Sequence, residues 1–96
     1  MLLKTIMFDS NNFYWENNRD VNFAFLKHNE NYLNDRIRYR GYVYLNQICE
    51  QLGEGWNPDN ENVCVKCDDK DRIAYIQFEL VEEGNNAFLV NILCYD

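Results

Sequence analysis

The stretch from Arg40 to Gly53 constrains this chain more than any other. Gly41 stands where a preceding helix should end, at a position that commonly takes a left-handed backbone that glycine adopts at little cost. Tyr42, Val43 and Tyr44 then read as a short extended link. Asn46 reads as the N-cap of a second, short helix with Ile48, Cys49 and Leu52 on one face, and Gly53 ends it. The pair is helix–turn–helix in topology only. The second helix carries Glu50 and no basic residue, so it does not suit a DNA groove.

Upstream of Gly41, Asp20 is the candidate N-cap of a helix running to about Arg40. Leu26, Leu33 and Ile37 form its apolar stripe with Phe23 above them, and Phe25, Tyr32 and Tyr39 form a neighbouring row. Asn29, Asn34, Arg36 and Arg40 fall on its polar face. Arg36, Arg38 and Arg40 alternate through the last two turns, where cations complement the negative helix end; the alternative is an anion or partner site. Leu2 to Phe8 reads as a half-buried N-terminal strand followed by a turn at residues 9–12. The aromatic triplet Phe13, Tyr14 and Trp15 either packs over the end of the core or anchors a partner.

Downstream, residues 53–60 read as a loop punctuated by Pro58. Three strands are expected after it, at 62–67, 72–81 and 87–95, separated by turns at 68–71 and 82–86. Ala74, Ile76, Phe78 and Leu80 share one face, as do Phe88, Val90, Ile92 and Cys94. The last strand is apolar on both faces, which suits a central or covered position. The expected fold is α+β, with two helices packed on a three- or four-stranded antiparallel meander, in a single domain over residues 1–96.

Charge is unevenly spread. The chain carries a net charge of -7. Residues 1–48 hold six bases against five acids, whereas residues 49–96 hold three bases against eleven acids. Such a half repels nucleic acid, whose binding needs a basic face. It either serves solubility or steers the chain toward a basic protein surface. The acids Asp68, Asp69, Asp71, Glu79, Glu82 and Glu83 are the candidate contacts, with Trp15 and Trp56 as apolar anchors. No apolar run approaches the roughly 20 residues of a membrane span. Residues 1–8 are too short for a secretory signal core. A cytoplasmic location in a bacterial host cell is expected, where cysteines serve as thiols or metal ligands more often than as disulfides.

Cysteine supplies the best chemical lead. Cys64 and Cys67 form a C-x-x-C half-site of the kind that holds zinc, and Cys49 and Cys94 would complete four ligands. Residues three apart on a regular strand face opposite ways, so chelation requires the strand to break near Lys66. Otherwise Cys49 and Cys94 are small buried hydrophobes. No catalytic constellation accompanies them. His28 is the one histidine, Ser10 the one serine and Thr5 the one threonine, and no glycine-rich phosphate cradle occurs. An enzyme is not expected.

The order Arg40, Gly41, Tyr42, Leu45, Asn46, then Leu52–Gly53, then Gly55–Trp56 and a hairpin resembles small uncharacterised proteins of phages and conjugative elements in low-GC bacteria. The resemblance spans about residues 30–95; this chain departs in its cysteines and in the short loop before Trp56. Asparagine at fifteen positions fits an AT-rich genome of that kind. The resemblance implies an accessory protein of a mobile element. The function expected is direct binding and inhibition of a host protein with a basic surface, of the anti-CRISPR type acting on a nucleic-acid-handling nuclease. The alternative is a structural or accessory component of a virion or conjugation apparatus, with zinc stabilising either form.

Overall fold

A computed structural model of the chain describes residues 1–66 and 74–95. The fold is α+β, with two helices and antiparallel sheets. In chain order the elements are β1 (Leu2–Phe8), α1 (Arg19–Arg40), β2 (Tyr42–Tyr44), α2 (Leu45–Gln51), a 3-10 turn (Pro58–Asn60), β3 (Cys64–Lys66), β4 (Tyr75–Gly84) and β5 (Ala87–Tyr95).

The strands divide into a three-stranded sheet of order β1-β5-β4 and a two-stranded ribbon, β2 with β3. This differs from the single meander expected of the C-terminal strands. β5 is central, as its two apolar faces suggest, but its second neighbour is the N-terminal strand. Ile6 stands opposite Val90, and Phe8 opposite Phe88, so the inward residues of the two strands coincide. The ladder extends to Met1, whose carbonyl accepts from Cys94 N–H at 2.8 Å. β3 is short, and of its three residues only Val65 is buried. It pairs with β2, Val65 opposite Val43, which covers one more edge of the core. The expected turn at Asp68, Asp69 and Asp71 lies outside the described residues.

α1 follows its apolar stripe. Leu26, Leu33 and Ile37 are at most 1% exposed. Its N-cap is Asn18, two residues before the expected Asp20: Asn18 Oδ1 accepts from Asp20 N at 3.0 Å and Val21 N at 3.1 Å. Asp20 instead enters the first turn, where its charge complements the helix dipole. Gly41 ends the helix at φ 83°, its N–H donating to Ile37 O at 2.7 Å. α2 begins at Leu45 rather than after Asn46. At its start Gln47 Oε1 accepts from Tyr44 N at 2.9 Å, and Leu45 N donates to Val63 O at 2.9 Å. Asn46 is buried and accepts from Asn57 N at 2.9 Å, tying the following loop to the helix.

Asn29 and Asn34, expected on the polar face of α1, make internal hydrogen bonds instead. Asn29 is buried, and its Nδ2 donates to Phe25 O at 2.8 Å. Asn34 reaches the outer edge of β4, where its Nδ2 donates to Ile76 O at 2.8 Å and its Oδ1 accepts from Ile76 N at 2.7 Å. One turn earlier, Glu30 Oε2 accepts from Phe78 N at 2.5 Å, and Lys27 Nζ lies 3.5 Å from Glu30 Oε1. The first part of the β4 edge, at Ile76 and Phe78, is thereby occupied by side chains, which blunts it as a template for other strands. On the inner face, Phe8, Phe78, Phe88 and Ile92 meet Leu26, Leu33, Ile48 and Leu52 in one core.

Gly53 is held by its neighbours as well as by its backbone. It has φ 83°, and a Cβ there would stand 2.5 Å from Asn12 Oδ1 and 2.8 Å from Tyr14 Cδ2. Asn12 cannot retreat freely, because it donates to Leu52 O at 2.7 Å and accepts from Tyr14 N at 2.8 Å. A left-handed β-carbon costs about 1–2 kcal/mol, so Gly41→Val should lower the melting temperature by roughly 5–15 °C. Gly53→Ala should also lower it, since its β-carbon adds a clash with Asn12 to the same backbone strain. Thermal melts followed by circular dichroism check both; an unchanged melting temperature for Gly53→Ala contradicts the packing described.

Candidate partner-binding site

The hairpin joining β4 to β5 turns on Asn85 and Asn86, at φ 52° and 62°. Two successive left-handed residues match the right-handed twist of the flanking strands, and asparagine tolerates that region well. β4 therefore extends to Gly84. Glu82 and Glu83, read from the sequence as loop residues, are carried on the end of a strand.

The chain after β1 folds back onto this turn, and Asn22 of α1 fastens the two together. Asn22 is completely buried. Its Nδ2 donates to Glu16 O at 2.7 Å and to Asn86 O at 2.8 Å, while its Oδ1 accepts from Glu16 N at 2.9 Å. Trp15 Nε1 donates to the same Asn86 carbonyl at 3.2 Å, and Asn86 Nδ2 donates to Asn17 Oδ1 at 2.9 Å. Each such bond contributes about 1 kcal/mol net, but a buried amide left unpaired costs about 1–3 kcal/mol. The loop, the turn and the first turn of α1 are thus held in one arrangement.

Between them lies a cleft of about 550 Å³ whose lining includes Met7, Asp9, Trp15, Asn17, Glu83 and Asn86. Asp9 and Glu83 place two carboxylates in its wall, and no cationic side chain lines it among the described residues. Asp9 also accepts from Asn11 N at 3.0 Å, which orients its carboxylate. Trp15 is half-buried against the edge of the core. A cleft of this kind suits a guanidinium or ammonium group, drawn by two negative charges and by an indole; a cation–aromatic contact adds about 0.5–1 kcal/mol at an exposed site. Beside the cleft, Glu82 is already paired with Arg19, whose guanidinium lies 5.0 Å from the Phe23 ring centre and 5.6 Å from that of Phe88.

Of the residues named from the sequence, Trp15, Glu82 and Glu83 come together at this end of the molecule. Glu79 lies on the open face of the sheet, where its Oε1 accepts from Asn91 Nδ2 at 3.0 Å and Asn91 Oδ1 accepts from Thr5 at 2.7 Å. Trp56 is exposed in the loop beyond α2 and does not line the cleft. Asp68, Asp69 and Asp71 are outside the described residues. Sequence reasoning missed Asp9, Asn17 and Asn86 as parts of a site. They read as turn formers, and no local signal says that two turns some seventy residues apart meet.

The cysteines separate. Cys49 is 1% exposed in the core, with Asn60 Nδ2 lying 3.9 Å from its Sγ. Burial pushes its thiol above the usual range, Lys4 opposing the rise and Glu54 and Glu50 adding to it. Cys64 and Cys94 are half-buried and line one cavity of about 510 Å³ with Met1, Lys66 and Tyr95. Cys67 lies outside the described residues. Among the described residues, no three His, Cys, Asp or Glu side chains converge as a metal-ligand set, and no helix is long and apolar enough to cross a membrane.

Comparison with protein-family models, with curated proteins and with solved structures finds no match to this chain.

Proposed function

We propose that this chain is a small protein-binding module whose acidic end engages a basic surface of a partner protein. In its most specific form the reading is an inhibitor of a host nucleic-acid-handling nuclease, of the anti-CRISPR type. The observation that carries it is the cleft of Asp9, Trp15 and Glu83, a rigid concave site with two carboxylates, an indole and no cation in its lining among the described residues. A lysine or arginine side chain of the partner would enter the cleft, with the surrounding acids of β4 steering the encounter. Such an inhibitor would compete with nucleic acid for the same cationic groove.

Capture of the partner from host lysate at about 50 mM and about 500 mM salt tests this, because screening shortens the reach of charge over that range. Recovery of a nucleic-acid-handling protein at low salt only is expected, with Glu83→Lys reducing recovery about tenfold and leaving the melting temperature in place. Glu83 is exposed, so the fold does not depend on it. Capture that ignores salt and the Glu83 reversal, or that recovers no nucleic-acid-handling protein, contradicts the reading.

The cavity shared by Cys64 and Cys94 favours a second reading, compatible with the first, in which these two thiolates contribute to a zinc site. Protein purified without chelator is then expected to hold close to one equivalent of zinc and to lose thermal stability when chelator is added. Less than about half an equivalent, or indifference to chelator, rejects it.

A further inference from the structure

The other end of α1 carries the opposite chemistry. Tyr32, Arg36, Tyr39 and Arg40 line a shallow depression of about 210 Å³, together with Asp35. Spacings of three, four and seven residues bring these side chains onto one outward face, while Leu33 and Ile37 between them point into the core. Tyr39 is 94% exposed and Tyr32 is 43% exposed. Asp35 is 3.4 Å from Arg38 Nη1 and so is already engaged. Among the described residues, Arg36 donates only to Tyr32 Oη, at 3.5 Å, and neither Arg36 nor Arg40 has a carboxylate within ion-pair distance. A rise of about 1.5 Å per residue puts Arg40 roughly 30 Å along the helix from Arg19, which sits beside the acidic cleft.

We propose that this Tyr32–Arg36–Tyr39–Arg40 face is a docking surface for an acidic segment of a partner protein. Arginine and tyrosine are the residues that dominate interface energetics, since a guanidinium grips a carboxylate with two parallel bonds and a phenol ring gives broad contact with few rotors. Two guanidiniums one turn apart match two carboxylates on a short peptide. They do not suit a nucleic-acid strand: phosphate tracking needs cations along several nucleotides, and the chain as a whole carries -7. The chain would then join two partners, or two regions of one partner, of opposite charge.

The intact protein is titrated against a fluorescein-labelled decapeptide of alternating glutamate and leucine and, in parallel, against a labelled thymidine decanucleotide, with anisotropy as the readout. Saturable peptide binding is expected. Replacing both arginines, Arg36→Gln with Arg40→Gln, should weaken it about tenfold. Arg36→Lys with Arg40→Lys should also weaken it, because lysine keeps the charge but loses the fork. Tyr39→Ala should weaken it about threefold without moving the melting temperature. Absence of peptide binding, peptide affinity unchanged in the glutamine pair or in the lysine pair, or tighter binding of the oligonucleotide than of the peptide each overturns the proposal.

Discussion

Asn34 of α1 gives β4 the hydrogen bonds that a fourth strand would give it. A primary amide has the donor and acceptor of a peptide group, so one side chain satisfies both backbone groups of Ile76. Glu30, one turn earlier, takes the N–H of Phe78. Ile76 and Phe78 are almost wholly buried, so with α1 docked these backbone groups depend on its side chains rather than on water. The apolar stripe of the helix supplies most of the driving force for docking, in proportion to area buried. It is non-directional, however. The polar contacts to β4 set where along the strand the helix sits.

That registration has consequences at both helix ends. At the N-terminal end it brings Asn22 to the carbonyl of Asn86 and Arg19 to Glu82, which closes the cleft around Trp15. At the C-terminal end it leaves Arg36 and Arg40 projecting away from the sheet beside two exposed tyrosines. The molecule is 42 Å in its longest dimension, so the two surfaces have room for separate contacts. Pinning one helix along one hairpin therefore places two chemically distinct surfaces at the two ends of one element.

Much of this architecture is legible in the sequence, because local rules govern it. Gly41 and Gly53 mark helix ends, Leu26, Leu33 and Ile37 mark a buried stripe, and the apolar faces of β5 mark a central strand. Pairing is not local. Alternation in Leu2–Phe8 says which residues face inward but not that β5 is their partner, and nothing near Cys64 points to Val43. Asparagine usually prefers water, so Asn29 and Asn34 read as polar-face residues; Asn29 instead is buried and bonds back to Phe25 O within its own helix, and Asn34 bonds to Ile76, a partner that only the assembled structure brings within reach. For the site, charge and aromatic content single out Trp15, Glu82 and Glu83. The cleft itself depends on two asparagine-rich turns meeting, and asparagine in a turn carries the same signature whether or not anything packs on it.

Amide hydrogen exchange of the native protein, resolved at Ile76 and Phe78, tests the pinning of α1 most directly. If the side chains of Asn34 and Glu30 hold these amides, both should be protected to the same order as Val90 and Ile92 in the central strand, and protection at Ile76 should collapse in Asn34→Ala. Exchange at the rate of an open sheet edge in the native protein, with β5 still protected, would contradict the account.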